Sequence, residues 1–235
     1  MRESIENPIN PPKLSASFVR AGTVKTTFPH SRCVIFVNPG EPDYEGTKLL
    51  ALIRLINKNF KEVDLIVADS LERHNLMLRK KLSLDNAHEN ANAQGAAWRT
   101  RNEAAIAHIE IPCHIFRWDK WLLKPEYEPY RQELFMLYWN DPEYKATMTY
   151  SIQEYLSHPA RRDAQIPYAQ AFMSCLNYLT EECAVIARMW PEQEYHFILS
   201  ASKPLKIMTL NHDRFVKPVS SDIQHWLQTK LSLKK

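Results

Sequence analysis

Residues 33–68 read CVIFVNPGEPDYEGTKLLALIRLINKNFKEVDLIVA, and their pattern decides the fold. The run 33–37 is short, continuous and apolar; 47–60 carries apolar residues at helical spacing; 63–68 is a second apolar run after a very short connection. The order is strand, loop, helix, strand. Two strands joined by a helical crossover run parallel, and strands that are apolar along their whole length are buried on both faces.

Outward from this unit, helical text runs over 70–82 and 86–108, interrupted near Ser83, Leu84 and Asp85. Pro112 and the run 113–117 predict a third strand. Helices are expected near 126–139, 142–157 and 166–189, then short strands at 195–199 and 206–210. A closing helix is expected near 219–231, starting after Ser220 or Asp222 and containing Trp226. Strands alternating with helices predict an α/β fold, a doubly wound and mostly parallel sheet. The expected layout is an N-terminal extension over 1–30 and a single domain over 31–235.

At 235 residues, with 45% hydrophobic, 24% charged and 11% aromatic residues, the composition is that of an ordinary globular protein, which excludes disordered, collagen-like and coiled-coil classes. No apolar run approaches the ~20 residues of a membrane helix. The start, MRESIENPINPP, is polar with no apolar stretch behind it, so no secretory signal is read and a cytoplasmic address is expected. A net charge of +3 implies nucleic-acid binding only if the positive charge is clustered.

Cys33, Cys113, Cys175 and Cys183 lie in apolar surroundings with no C-x-x-C pair, the pattern of reduced core thiols. With only Gly22, Gly40, Gly46 and Gly95 available, neither a G-x-G-x-x-G fingerprint nor a phosphate-binding P-loop can be assembled. H-E-x-x-H and G-x-S-x-G are absent, so no metal ligand set or serine-hydrolase elbow is expected.

Three constellations remain. Ligands of such sheets lie beyond the carboxyl ends of the strands, which points to the loop from Asn38 to Lys48. Pro39, Gly40, Pro42 and Gly46 make it a shaped turn; the plain alternative is a strand-to-helix connector without chemistry. On the helix over 166–189, Cys175, Tyr178, Glu182, Val185 and Met189 recur at helical spacing, setting a carboxylate in an apolar stripe. Tyr178 and Glu182 stack one turn apart, whereas Glu181 is expected to turn towards solvent. A carboxylate among apolar neighbours suits gripping or deprotonating a substrate amine; equally, it suits a structural pair with a core Arg or a backbone amide. Third, Arg73, Arg79, Lys80, Lys81, Arg99 and Arg101 outnumber Glu72, Asp85 and Glu89 between residues 70 and 102. That stretch tracks a phosphate backbone or is a solvated helical surface.

Several strings together resemble the tRNA-dependent cyclodipeptide synthases. DSLERHNL at 69–76 and AAWRTRN at 96–102 look like the D-x-x-x-R-H-N and W-x-x-R-N text of that family. PGEPDYEGTK at 39–48 is similar to its G-x-P-x-x-E-G-x-K run, and RWDKW at 117–121 and YLTEECAVI at 178–186 also match. The resemblance spans residues 33 to about 216 in order. It implies a Rossmann-like domain similar to the catalytic domains of class I aminoacyl-tRNA synthetases. The amino acid would arrive already activated as an ester on tRNA, so no nucleotide and no cofactor is expected; the partner is aminoacyl-tRNA and the protein a monomer.

By resemblance, Tyr178 and Glu182 orient the substrate amine and assist proton movement, Gly40, Glu41 and Tyr44 line the substrate pocket, and the basic residues Arg79, Lys80, Lys81, Arg99 and Arg101 hold tRNA. In the family a serine ending the first strand takes up the aminoacyl group as an ester. Its position here is Asn38, and a carboxamide has no hydroxyl to form that ester. The family's second tyrosine, at a later strand end, falls by spacing on Ser200-Ala201, with Tyr195-His196 as a rival alignment. Cys33 cannot substitute for the serine, because at ~3.3 Å per residue it sits about 16 Å from Asn38 at the other end of the strand. Ser200 or Ser202 would be better placed if their strand runs parallel to the first.

Three functions follow as expectations. One is a divergent synthase joining two aminoacyl groups into a diketopiperazine; another is a catalytically silent aminoacyl-tRNA-binding homologue. The most distant is a Rossmann-like binder of small molecules unrelated to tRNA.

Overall fold

The computed structural model describes residues 14–19, 22–158 and 165–233. Its strands are β1 (Leu14–Phe18), β2 (Arg32–Val37), β3 (Glu62–Val67), β4 (Cys113–Arg117), β5 (Phe197–Ser200) and β6 (His225–Leu233). Its helices are α1 (Gly46–Asn59), α2 (Arg73–Lys80), α3 (Leu84–Arg101), α4 (Glu103–Ile106), α5 (Asp119–Leu122), α6 (Tyr127–Asn140), α7 (Pro142–Ser157), α8 (Tyr168–Cys183) and α9 (Lys206–Asn211). The sheet order is β1-β6-β5-β2-β3-β4, parallel throughout except for the antiparallel β1–β6 pair. This is the α/β Rossmann-like, mostly parallel sheet expected from the sequence.

Alternation along β2 builds both layers. Cys33, Ile35 and Val37 face α1 and Trp98, whereas Val34 packs with α6, α7 and α8, and Phe36 joins that layer. The neighbouring strands repeat the division, Leu65 and Leu199 on the first side, Ile66 and Ile198 on the second. From β2 the chain builds outwards through β3 and β4, then returns to lay β5 on the other flank of β2. The topological switch point therefore lies between β2 and β5, beyond Asn38 and Ser200.

Two expected elements are corrected. Residues 206–210 form helix α9, because Ile207, Met208 and Asn211 are buried at helical rather than alternating spacing. The closing segment is strand β6 rather than a helix: Leu227 and Thr229 are buried in alternation, Leu227 paired with Leu199 of β5 and Thr229 with Phe18 of β1, and Trp226 sits in the strand. Within the expected extension, β1 pairs along β6 and Phe28 is buried against Phe197, with ring centroids 5.0 Å apart; residues 1–13 lie outside the described residues. Among the described residues no helix is long and apolar enough to cross a membrane.

Candidate active site

The loop after β2 turns at once: the Glu41 N–H donates to the Asn38 carbonyl at 3.1 Å, and Gly40 takes φ +91°, a geometry open to residues without a Cβ. Asn38 is partly buried and lies just past the end of β2, two residues after Phe36, which packs in the layer of α8. Phe36 lies edge-on to Trp118 at 5.4 Å, and the Trp118 indole donates to Glu181 Oε1 at 3.0 Å. The carboxyl end of β2 is thus linked to α8 through one aromatic side chain.

On α8, Tyr178 is partly buried and Glu182 is 9% exposed. Among the described residues no cation and no hydrogen-bond donor meets the Glu182 carboxyl. Burial first, and then the negative charge of Glu181, push it up to about 8. Burial likewise holds the Tyr178 hydroxyl well above its ordinary value, helped by the charges of Glu182, Glu72 and Glu41. Glu41, from the loop after β2, is therefore within electrostatic reach of Tyr178.

Glu181 is a correction: it does not turn to solvent but is fully buried. Arg73 clasps it with both Nη atoms, Nη1 at 2.8 Å from Oε1 and Nη2 on Oε2. His74 Nε2 lies 3.1 Å from Oε2, and the Tyr127 hydroxyl donates to the same oxygen at 2.9 Å. Burial alone would raise this carboxyl, but the His74 and Arg73 hydrogen bonds and charges outweigh it and hold it at about 2. The physical reason for the misplacement is that α8 is packed by α2, α6 and α7 and shares a core with β2, β3 and β5, so this part of it has no solvent face. Arg73 is a second correction: grouped by sequence with the basic surface, its side chain is instead turned inwards onto Glu181, while nothing in the spacing singles out His74, Trp118 or Tyr127 as site residues. Only the adjacency of an Arg and a His at the start of a helix hinted at a buried acidic partner.

Other expected residues separate. Tyr44 is buried on the α1 side of the sheet; its hydroxyl accepts the Ala201 N–H at 3.2 Å and burial pushes it up to about 12. It borders a shallow hollow, with room for little more than a water molecule, beside Asp43, Ala201 and Thr229, away from the α8 layer of Tyr178. Ser200 ends β5, which does run parallel to β2; its hydroxyl accepts the Ser202 N–H at 3.2 Å and faces Tyr44, neither of which is a base. The rival Tyr195 lies at the opposite end of β5, where its hydroxyl donates to Asp64 at 2.6 Å.

The basic residues fall into two groups. Arg79, Lys80 and Lys81 are exposed where α2 ends, and Arg99 and Arg101 are exposed where α3 ends. At 1.5 Å per residue, α3 separates the two groups by about 24 Å. The helix is seated by Arg117, whose guanidinium holds Asp69 and donates to the Asn92 carbonyl at 2.8 Å. Gly95 permits that seat, because a Cβ there would overlap the Asp69 carboxylate.

Glu62, Asp64 and His114 bring possible metal-ligand atoms within 4.8 Å of one another. Arg32 already supplies the cation, at 3.2 Å from Glu62 and 2.7 Å from Asp64, so the cluster is an internal ion-pair network.

Comparison with known proteins bears on this geometry. The family model described as Cyclodipeptide synthase matches residues 27–186. In structure the chain is similar to a CDPS from Fluoribacter dumoffii, at 27% identity and a TM-score of 0.89, over 95% of this chain and 100% of that one. It is similar to the cyclodipeptide synthase from Candidatus Glomeribacter gigasporarum bound to Phe-tRNAPhe, at 18% identity and a TM-score of 0.70, over 87% and 89% of the two chains. Tyrosyl-tRNA synthetase from Archaeoglobus fulgidus, complexed with L-tyrosine, shares the fold at 13% identity and a TM-score of 0.53, over 87% of this chain and 56% of that one. No curated protein matches the sequence.

Proposed function

The chain belongs to the cyclodipeptide synthase family, and from that premise we propose that it takes aminoacyl-tRNA as substrate and joins two aminoacyl groups into a diketopiperazine without an enzyme-bound ester. The observation that carries this reading is the buried Glu182, which no cation or donor among the described residues meets, one turn from Tyr178 on the helix layered over β2.

An α-amino group titrates at ~7.7–8.0, so a carboxyl held at about 8 exchanges a proton with it at little cost in free energy. Tyr178 then orients the amine of one aminoacyl-tRNA, and the ionised minority of Glu182 takes its proton. The freed amine attacks the ester carbon of a second aminoacyl-tRNA. A C–N bond forms, the bond to the tRNA 3′-oxygen breaks, and the proton passes to that leaving oxygen. The dipeptidyl ester repeats the step on itself, closing the ring and releasing the other tRNA. Arg99 and Arg101 hold the RNA backbone. An aminoacyl-tRNA substrate places the protein in the cytoplasm, where no cofactor is required because the ester supplies the driving force.

Asn38 favours a second reading, a catalytically silent aminoacyl-tRNA-binding homologue, since the residue ending β2 has no hydroxyl to hold an acyl group. Expression in a bacterial host, with mass spectrometry of the medium for diketopiperazines, separates the two. Product from the wild-type chain supports synthesis by direct transfer; product only from Asn38→Ser supports the silent homologue. Failure to bind aminoacyl-tRNA at all removes both.

A further inference from the structure

The loop carrying Asn38, Gly40 and Glu41 is secured by the far end of the basic helix as well as by its own local turns. Trp98, fully buried on α3, donates its indole N–H to the Tyr44 carbonyl at 2.9 Å. One turn later Asn102, 1% exposed, uses both ends of its carboxamide. Its Oδ1 accepts the Gly46 N–H at 2.8 Å, while Nδ2 donates to Glu45 Oε2 at 2.8 Å and to the Trp98 carbonyl at 3.0 Å. The other Glu45 oxygen pairs with Arg101 at 3.0 Å, in contact with solvent.

Glu45 stands at the N-cap of α1 but provides no capping hydrogen bond, and Gly46 adopts φ +50°. Asn102 supplies the missing cap from 56 positions further along the chain. Tyr44 is consequently gripped at both ends, its carbonyl by Trp98 and its hydroxyl by the Ala201 N–H beyond β5. The end of α3 is thereby tied to the loop, and the loop to the residue beyond β5.

We propose that Trp98, Arg101 and Asn102 form a strut that couples RNA-backbone binding on α3 to the shape of the loop over 38–46. Asn102 is the positioning residue, and Glu45 is the internal anion that an RNA phosphate displaces from Arg101. The proposal rests on the reading of α3 as the aminoacyl-tRNA surface. Once a phosphate takes Arg101, Glu45 retains Asn102, so the cap on α1 survives while the end of α3, and the loop with it, becomes ordered. Arg101 in the free protein is thus a reserved rather than an idle cation.

Hydrogen–deuterium exchange on the full chain, with and without saturating unfractionated deacylated tRNA, reads the coupling. In the wild-type chain tRNA should slow exchange over residues 38–48 by about tenfold. In Asn102→Ala that slowing should fall below about twofold, with tRNA affinity within about threefold of wild type. Glu45→Gln, at a position in contact with solvent, keeps the fold and releases Arg101; it should bind tRNA about two- to fivefold more tightly. A merely structural Glu45 would leave affinity unchanged or lower it, and either result overturns the proposal, as does full slowing in Asn102→Ala. If Asn102→Ala does not fold, the Glu45→Gln affinity decides alone. Wild-type binding without slowing removes the strut and leaves the tRNA reading standing; absence of wild-type binding removes both.

Discussion

Glu181 and Glu182 are consecutive on α8, both buried, and hold opposite protonation states at neutral pH. Glu181 is ionised because a guanidinium, an imidazole, a phenol and an indole converge on it. Glu182 is protonated because none of these reaches it and its neighbour's charge repels ionisation. One carboxylate anchors the helix, which leaves the other free to exchange a proton.

The stability profile should show Glu182. Its folded-state value of about 8 lies above the ordinary 4.5, so the native chain holds more protons than the unfolded chain between them. Stability contributed by the neutral form is full below pH 4.5 and is lost as pH rises towards 8. Glu182→Gln should flatten that decline in urea titrations across pH 5–9, a difference on the order of a few kcal/mol. A profile identical to wild type would mean that Glu182 is ionised in the native state.

Arg73→Ala should cost about 3–5 kcal/mol, because it leaves Glu181 buried without its principal cation. Glu181 sits at about 2, below its ordinary 4.5; the stability it adds is complete above pH 4.5 and disappears as pH falls towards 2. In Arg73→Ala that acid decline should shrink, measured by thermal melts from pH 5 to 2.5.

Gly95→Ala should destabilise by about 1–3 kcal/mol, although Gly to Ala within a helix ordinarily stabilises by about 1 kcal/mol. The sign reverses because the added methyl meets the Asp69 carboxylate that Arg117 holds in place. A raised melting temperature would show that α3 can lift off its seat without loss.

Charge reversal at Arg99 and Arg101 together should weaken tRNA binding and reduce the slope of log affinity against log salt by about 1.5. An unchanged slope would place the RNA elsewhere. The reduction should be tested separately from Lys80 and Lys81, since α3 holds the two groups apart.

Ser200→Ala should leave any acyl-enzyme of the Asn38→Ser chain intact by mass, because the hydroxyl of Ser200, at the end of β5, faces Tyr44 and meets no base. Loss of the adduct would assign Ser200 the role of nucleophile.

The β2–α1–β3 unit was legible because a run that is apolar on both faces admits one environment, the interior of a parallel sheet. The pairing of Tyr178 with Glu182 was legible for a similar reason: helical spacing alone sets them one turn apart. β6 reads as a helix in the sequence because Ser220 and Asp222 imitate a cap, and the alternation of Leu227 and Thr229 acquires meaning only between β5 and β1. Periodicity along one helix also cannot say how many neighbours surround it, which is why Glu181 was placed in water.

Local pattern therefore determined the order of strands and helices at the heart of the molecule, the missing hydroxyl at position 38, and the acid on an apolar stripe, since each depends on chemistry within a few residues. Only the folded chain decided which glutamate is charged, that Tyr44 belongs to the opposite layer from Tyr178, and that Asn102 caps α1. Those are contacts between segments far apart in sequence, where burial and the arrival of a distant donor or cation set the energy.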